Sequence, residues 1–307
     1  MKNSFQAPQT CDLIGIDLGG TKIEVVVLGK DQKITFRERT DTQASLGPQH
    51  IFNQINMLYQ AAIQTIGHRD HTLGVGTPGS ISGKTGMLKN SNTVCLNGLP
   101  LKSLLEDHLA HALVVENDAN CFALAEAVYG AGKNYDLVFG VIMGTGCGGG
   151  IVTNKKIRRG PQNLSGEWGH MSIDPNGPRC FCGRRGCVET YISGSGLEKI
   201  YAEQSLKLGK ASDAREIFNL AKLGDRHARS SLEIFYFSFG RAFANLINIL
   251  DPDIIILGGG LSNETTLYQE GIESIKNYVF NDELITPIVK HELGDSAGVI
   301  GAALIGV

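Results

Sequence analysis

The chain has 307 residues, enough for about two domains that each bury a core, and its 42% hydrophobic and 19% charged residues are those of an ordinary globular protein. A formal net charge of −3 gives no general electrostatic reason to expect nucleic acid or an anionic membrane as partner. The polar start MKNSFQAPQT has no apolar signal core, no apolar run reaches membrane-spanning length, and the 7 cysteines are odd in number, so a cytoplasmic protein without a disulfide framework is expected.

In chain order, Leu13 to Ile16 reads as a buried strand and Ile23 to Leu28 as its hairpin partner across the turn Asp17 to Lys22. Apolar residues at helical spacing (Ile51, Ile55, Leu58, Ala62, Ile66) predict a helix over 49–66. Leu73 to Thr77 is a strand stopped by Pro78-Gly79, Leu101 to His111 a helix, and Leu113 to Val115 a strand running into Glu116, Asn117 and Asp118. Ala119 to Val128 is an alanine-rich helix, and Leu137 to Met143 a strand ending in glycines. The clearest helix is 230–250, with Leu232, Phe235, Phe239, Phe243, Leu246 and Leu250 on its apolar face. It stops at Asp251-Pro252, and Ile254 to Leu257 is the next strand. Strand, glycine turn, strand occurs twice, at Leu13–Leu28 and at Leu137–Val152. The repetition predicts two related α/β domains facing each other across a cleft, 1–118 plus 293–307 and 119–292.

Three glycine blocks follow apolar strands, the usual way to bring backbone N–H groups to a phosphate. In the first, Gly19 and Gly20 let the hairpin turn tightly, so that Thr21 and Lys22 can reach phosphate oxygens, and Asp17 is placed to hold Mg²⁺. The second begins Gly144-Thr145-Gly146 and is neither a P-loop nor a dinucleotide fingerprint. The third, Gly258-Gly259-Gly260, suits either close approach to an adenosine or packing. Asp118, at a strand end and ahead of a helix, reads as a helix cap or as a general base that takes the proton of an attacking sugar hydroxyl, with Asn117 orienting the sugar. His170, Cys180, Cys182 and Cys187 form a complete Cys₃His set for tetrahedral Zn²⁺. Four protein ligands leave no open position, so the zinc is structural and would hold Glu167, His170 and Glu189 toward a sugar pocket.

Together these segments resemble the ROK family (repressors, open reading frames and kinases) over nearly the whole chain. Its most specific marker, Gly-Glu-x-Gly-His followed by Cys-x-Cys-Gly-x-x-Gly-Cys-x-Glu, is intact at Gly166–His170 and Cys180–Glu189. The resemblance implies a two-domain actin/hexokinase-like (ribonuclease H-like) α/β fold with an interdomain active-site cleft. It implies Asp118 as catalytic base, and Asn92, Asn117, Glu167, His170 and Glu189 as sugar ligands. His170 would serve both zinc and sugar, the first two glycine turns would hold ATP phosphates, and Gly258–Gly260 would lie near the adenosine. Thr77 to Ser82, Asn90 to Gly98, Glu189 to Gly194 and Asp251 to Asn263 look most similar to bacterial fructokinases. The expected activity is therefore ATP-dependent phosphorylation of a free hexose at its 6-hydroxyl, fructose first, with N-acetylglucosamine or glucose as alternatives. A homodimer is expected from the resemblance alone.

Two rival classes fit less well. A sugar-sensing regulator needs a DNA-binding domain, and only about ten polar residues precede Leu13. A zinc hydrolase needs an open metal position, which a Cys₃His set does not offer.

Overall fold

The computed structural model describes residues 11–205 and 213–307; the polar amino-terminal segment 1–10 lies outside them. β1 (Asp12–Leu18) and β2 (Lys22–Leu28) form an antiparallel hairpin, from Leu13 opposite Leu28 to Leu18 opposite Ile23. Both are near-continuous apolar runs and are buried almost throughout. β3 (Ile34–Asp41) pairs with β2 at the sheet edge and is largely exposed; its polar sequence carries no strand signal, and pattern reading passes over it. α1 (Pro48–Ile66) starts on a proline and ends at Gly67 in the left-handed region (φ 60°).

β4 (His71–Thr77) runs parallel to β1 and is followed by the small hairpin of β5 (Ser80–Ile81) and β6 (Leu88–Lys89). α2 (Leu101–Leu109) stops two residues short of the expected His111, where Ala110 turns left-handed (φ 50°). β7 (Val114–Asn117) pairs parallel to β4 and leads directly into α3 (Asp118–Val128), which is buried on every side.

β8 (Leu137–Met143) and β9 (Cys147–Thr153) make the second glycine hairpin, and the two-residue β10 (Lys156–Ile157) follows. The helices α4 (Glu189–Ile192), α5 (Gly194–Gln204), α6 (Ala214–Lys222) and α7 (Arg226–Leu250) come next. Asp225 caps α7 by accepting from Ala228 N, so this helix begins one turn before the apolar pattern does. β11 (Ile254–Gly258), α8 (Glu270–Lys276), β12 (Ile288–Lys290) and α9 (Ala297–Ile305) complete the chain.

The chain divides into two units. The first comprises the residues through Tyr129 with Lys155–Leu164 and Leu293–Val307, the second Gly130–Asn154 with Ser165–Glu292. The first unit's sheet has the order β3-β2-β1-β4-β7, and the second's runs β9-β8-β11-β12. Each contains an antiparallel hairpin extended by two parallel strands, the first with β3 added at its antiparallel edge, and each unit has its own apolar core.

The boundary expected at residue 118 falls instead after Tyr129, because α3 packs along α9. Glycine makes that packing close. A Cβ on Gly301 would strike the Cys121 carbonyl, and Cβ atoms on Gly15 of β1 and Gly74 of β4 would strike the α9 carbonyls of Val299 and Ala302. These glycines admit the carboxyl-terminal helix against strand and helix backbone. The excursion 155–164 also belongs to the first unit.

Candidate functional site

In the first unit, the β1–β2 turn is closed by Gly19 N donating to Lys22 O (3.0 Å). It is braced from a distance by Thr42, whose hydroxyl donates to Gly19 O (2.7 Å) and whose N–H donates to Thr21 O (2.9 Å). Thr42 is completely buried and lies 23 residues from its partner, so no local signal could reveal it. Asn97 clamps the neighbouring segment, accepting from Ser91 N and donating to Ser91 O, both at 2.9 Å. That clamp places Asn92 beside the turn, with its Oδ1 3.4 Å from where a Gly20 Cβ would stand.

Asp17 leads into the same turn. Its Oδ2 lies 3.0 Å from the Cβ position of Gly298, on the first turn of α9. Burial, then the negative charge of Asp118, then that of Glu24 push its carboxyl up to about 7, against the opposing pull of Lys22. Glu24 is buried opposite Asp17 and paired to Arg37, while its Oε2 has no partner. Carboxylates gathered at a glycine turn are a donor set of the kind a hard cation such as Mg²⁺ takes, and its charge would relieve their repulsion.

Asp118 is the first residue of α3, and it does not cap the helix. Asn117 does, its Oδ1 accepting from Ala119 N (2.9 Å) and Asn120 N (3.4 Å). The Asn117 Nδ2 donates to Gly79 O (3.0 Å). Both ends of the Asn117 amide are thus committed to backbone, which makes this residue a holder of the turn more than a free sugar ligand. Asp118 Oδ1 accepts from Ala119 N (2.9 Å).

In the second unit, the turn Gly144-Thr145-Gly146 is held by the start of α5. Gly194 N donates to Gly144 O (2.8 Å), and the Ser195 hydroxyl donates to Thr145 O (2.8 Å). Glu189, the first residue of α4, accepts from Cys147 N through Oε2 (2.9 Å). A Cβ on Gly146 would stand 2.6 Å from that oxygen, so close approach of a carboxylate requires glycine here. Gly259 has φ 78° and packs against the Met143 backbone, so packing accounts for it, whereas Gly260 faces open space.

Glu167 and His170 are set by Trp168, which is buried edge-on to Phe139 and Phe243 and donates from Nε1 to Gly148 O (3.1 Å). Glu167 is left exposed and His170 half-buried.

The ligand atoms of His170, Cys180, Cys182 and Cys187 all lie within 4.8 Å of one another. Cys180 Sγ is 3.5 Å from His170 Nδ1, and the Cys182 and Cys187 sulfurs are 3.6 Å apart. Tetrahedral zinc at ordinary bond lengths puts two sulfurs roughly 3.7 Å apart, and a sulfur and an imidazole nitrogen roughly 3.6 Å apart. The donor set therefore fits the ion in kind, number and spacing, while 3.6 Å is far too long for a disulfide. Because Nδ1 faces the sulfurs, the His170 Nε2 edge remains for another partner. Burial, followed by hydrogen bonds with Cys182 and Cys180, pushes the Cys187 thiol up to about 12, so zinc binding must displace protons here and weakens as pH falls.

Compared with known proteins, the chain matches the ROK family over residues 13–306. It is 35% identical over 306 residues to an N-acetyl-D-glucosamine kinase from Histophilus somni, covering 95% of this chain and 97% of that one. Among solved structures it is similar to a ROK hexokinase from Thermus thermophilus, with a TM-score of 0.85, 30% identity, and 95% and 97% of the two chains covered. A ROK family glucokinase from Streptomyces griseus, solved in complex with glucose and AMPPNP, gives a TM-score of 0.79 at 30% identity, with 96% and 98% covered.

Proposed function

The chain belongs to the ROK family and has its actin/hexokinase-like fold, and from that premise we propose that it phosphorylates a free hexose at the 6-hydroxyl with ATP, Asp118 acting as general base. The observation that carries this reading is the gathering in the first unit: Asp118 acts electrostatically on Asp17, and Asp17 leads into the glycine turn. In the reaction the sugar hydroxyl gives its proton to the Asp118 carboxylate as its oxygen bonds to the γ-phosphorus. The bond from that phosphorus to the β-bridging oxygen breaks, and ADP leaves. Mg²⁺, held from Asp17, would neutralise phosphate charge. Gly19, Gly20, Thr21 and Lys22 of the first unit, and Gly144, Thr145 and Gly146 of the second, would bind phosphate oxygens, and Gly260 offers open backbone to the adenosine.

Asn92, Glu167, His170 Nε2 and the free Oε1 of Glu189 would bind the sugar hydroxyls. Zinc would fix the loop without joining the chemistry, since its four protein ligands close its coordination. Relatives named as N-acetylglucosamine kinase and glucokinase favour N-acetylglucosamine or glucose as acceptor over the fructose expected first. Fructose remains the second reading, favoured by the stretches Thr77–Ser82 and Asn90–Gly98. Coupled ADP production with Mg-ATP and a panel of N-acetylglucosamine, glucose, mannose and fructose decides among them. Absence of turnover with all of them, from folded zinc-loaded protein, would remove the kinase reading.

Gly146→Ala should lower kcat/KM for the sugar by about tenfold or more, since its methyl must displace the Glu189 carboxylate. The half-buried turn should tolerate it with little change in melting temperature; the two are read by steady-state kinetics and thermal denaturation.

A further inference from the structure

The acid group just before the proposed base has no part in the mechanism above. Glu116 is the penultimate residue of β7, two residues ahead of Asp118, and its side chain is only 9% exposed. Its Oε1 accepts from Asn117 N (2.9 Å) and from Asn120 Nδ2 (3.0 Å), and its Oε2 accepts from Arg159 Nε (2.6 Å). Asn120 is itself buried, in the first turn of α3. One carboxylate thus gathers the residue before Asp118, the residue two after it, and an arginine 43 positions away.

Arg159 arrives from an unusual direction in the sequence. It lies on the excursion 155–164, which the first unit receives from the chain just after β9. Among the residues around this turn, Asn117 and Asp118 carry the motif, whereas neither Glu116 nor Arg159 is marked by local pattern.

We propose that the Glu116–Arg159 pair positions the Asp118 turn for catalysis, the arginine holding the carboxylate that in turn holds the Asn117 backbone before the base and the Asn120 side chain after it. The inference rests on the kinase reading for its catalytic part. A general base must meet the hydroxyl within hydrogen-bond reach, and a displacement of about 1 Å can cost around 10²-fold in rate. The Asn117 cap fixes the helix start from one side, and Glu116 fixes the strand end from the other. Without Arg159, a nearly buried carboxylate loses its charged partner, and the turn must shift to hydrate it. Both members of the pair are positioning residues.

The test compares Arg159→Ala, Arg159→Lys, Glu116→Gln and the double variant Glu116→Gln/Arg159→Ala. Arg159→Ala should lower kcat about 10- to 100-fold with the hexose and ATP KM within about threefold, because it touches neither substrate. Arg159→Lys should recover part of the loss as a point charge, and the double variant should exceed Arg159→Ala, because the unpaired carboxylate is gone. Amide hydrogen exchange supplies a readout independent of activity: the N–H groups of Ala119 and Asn120 should exchange faster in Arg159→Ala. Unchanged kcat, a loss confined to KM, or unchanged exchange at those amides would each overturn the proposal. If the wild type phosphorylates no sugar, the kinase reading fails, and the exchange measurement alone decides whether the pair holds the turn.

Discussion

Asp118→Asn should lower kcat by about 10²- to 10⁴-fold, the usual worth of a positioned base, with the KM values for sugar and ATP changed only a few-fold. The amide keeps the size of the carboxylate and an oxygen able to accept from Ala119 N, and Asn117 and Glu116 also hold the turn. The fold should therefore survive. Stability should move the other way, and its pH dependence identifies the cause. The Asp17 carboxyl stands at about 7 in the folded chain against an ordinary 3.8, so the folded state binds the extra proton between those values. Its ionisation penalty is absent below about pH 4, grows through pH 4–7, and is complete above pH 7. Asp118 is one source of that penalty. Asp118→Asn should match the wild type in melting temperature near pH 4, and exceed it by about 2–4 °C at pH 8 for each kcal/mol relieved. Near-normal turnover in this variant would remove Asp118 as the base; a melting temperature that falls at pH 8 would remove the charge argument.

Loss of the metal should be the second large effect. Cys187 is completely buried and stands two residues before Glu189, and His170 belongs to the same cluster. Chelation, or Cys187→Ala, should free both at once. The sugar KM should rise tenfold or more, while the phosphate turn of the first unit, which contains no zinc ligand, keeps its geometry. The melting temperature should fall by about 5–10 °C, taking the lost cross-link as a few kcal/mol. Because the Cys187 thiol is held protonated until high pH in the metal-free chain, chelation should succeed more easily at pH 6 than at pH 8. Elemental analysis should find one zinc per chain in untreated protein. A metal-free protein that keeps both its melting temperature and its sugar affinity would overturn the structural role.

Both predictions lean on residues whose legibility differed. The Cys₃His set was readable because its four ligands fall within 18 consecutive positions, and soft donors so close together have few other uses. The glycine turns were readable because strand and glycine adjoin. Asp118 was readable as a carboxylate at a strand end, open as a helix cap or a general base; Asn and Asp cap equally well, and only backbone geometry gives the cap to Asn117. Gly259 was open in the sequence to adenosine approach or to packing, and in the structure it packs on the Met143 backbone.

By itself the sequence determined the strands and helices with strong apolar periodicity, the two glycine hairpins and the Cys₃His cluster. Each depends on neighbours in the chain, where spacing translates directly into geometry. Tertiary structure alone decided that α3 belongs with α9, that Thr42 braces the first turn, that Glu189 reaches Cys147, and that Arg159 meets Glu116. Those partners lie 23 to 43 residues apart, or, for α3 and α9, at widely separated points of the chain. Nothing in local spacing encodes such meetings. They follow from which surfaces the packed sheets and helices bring together, and that is settled only when the whole core closes.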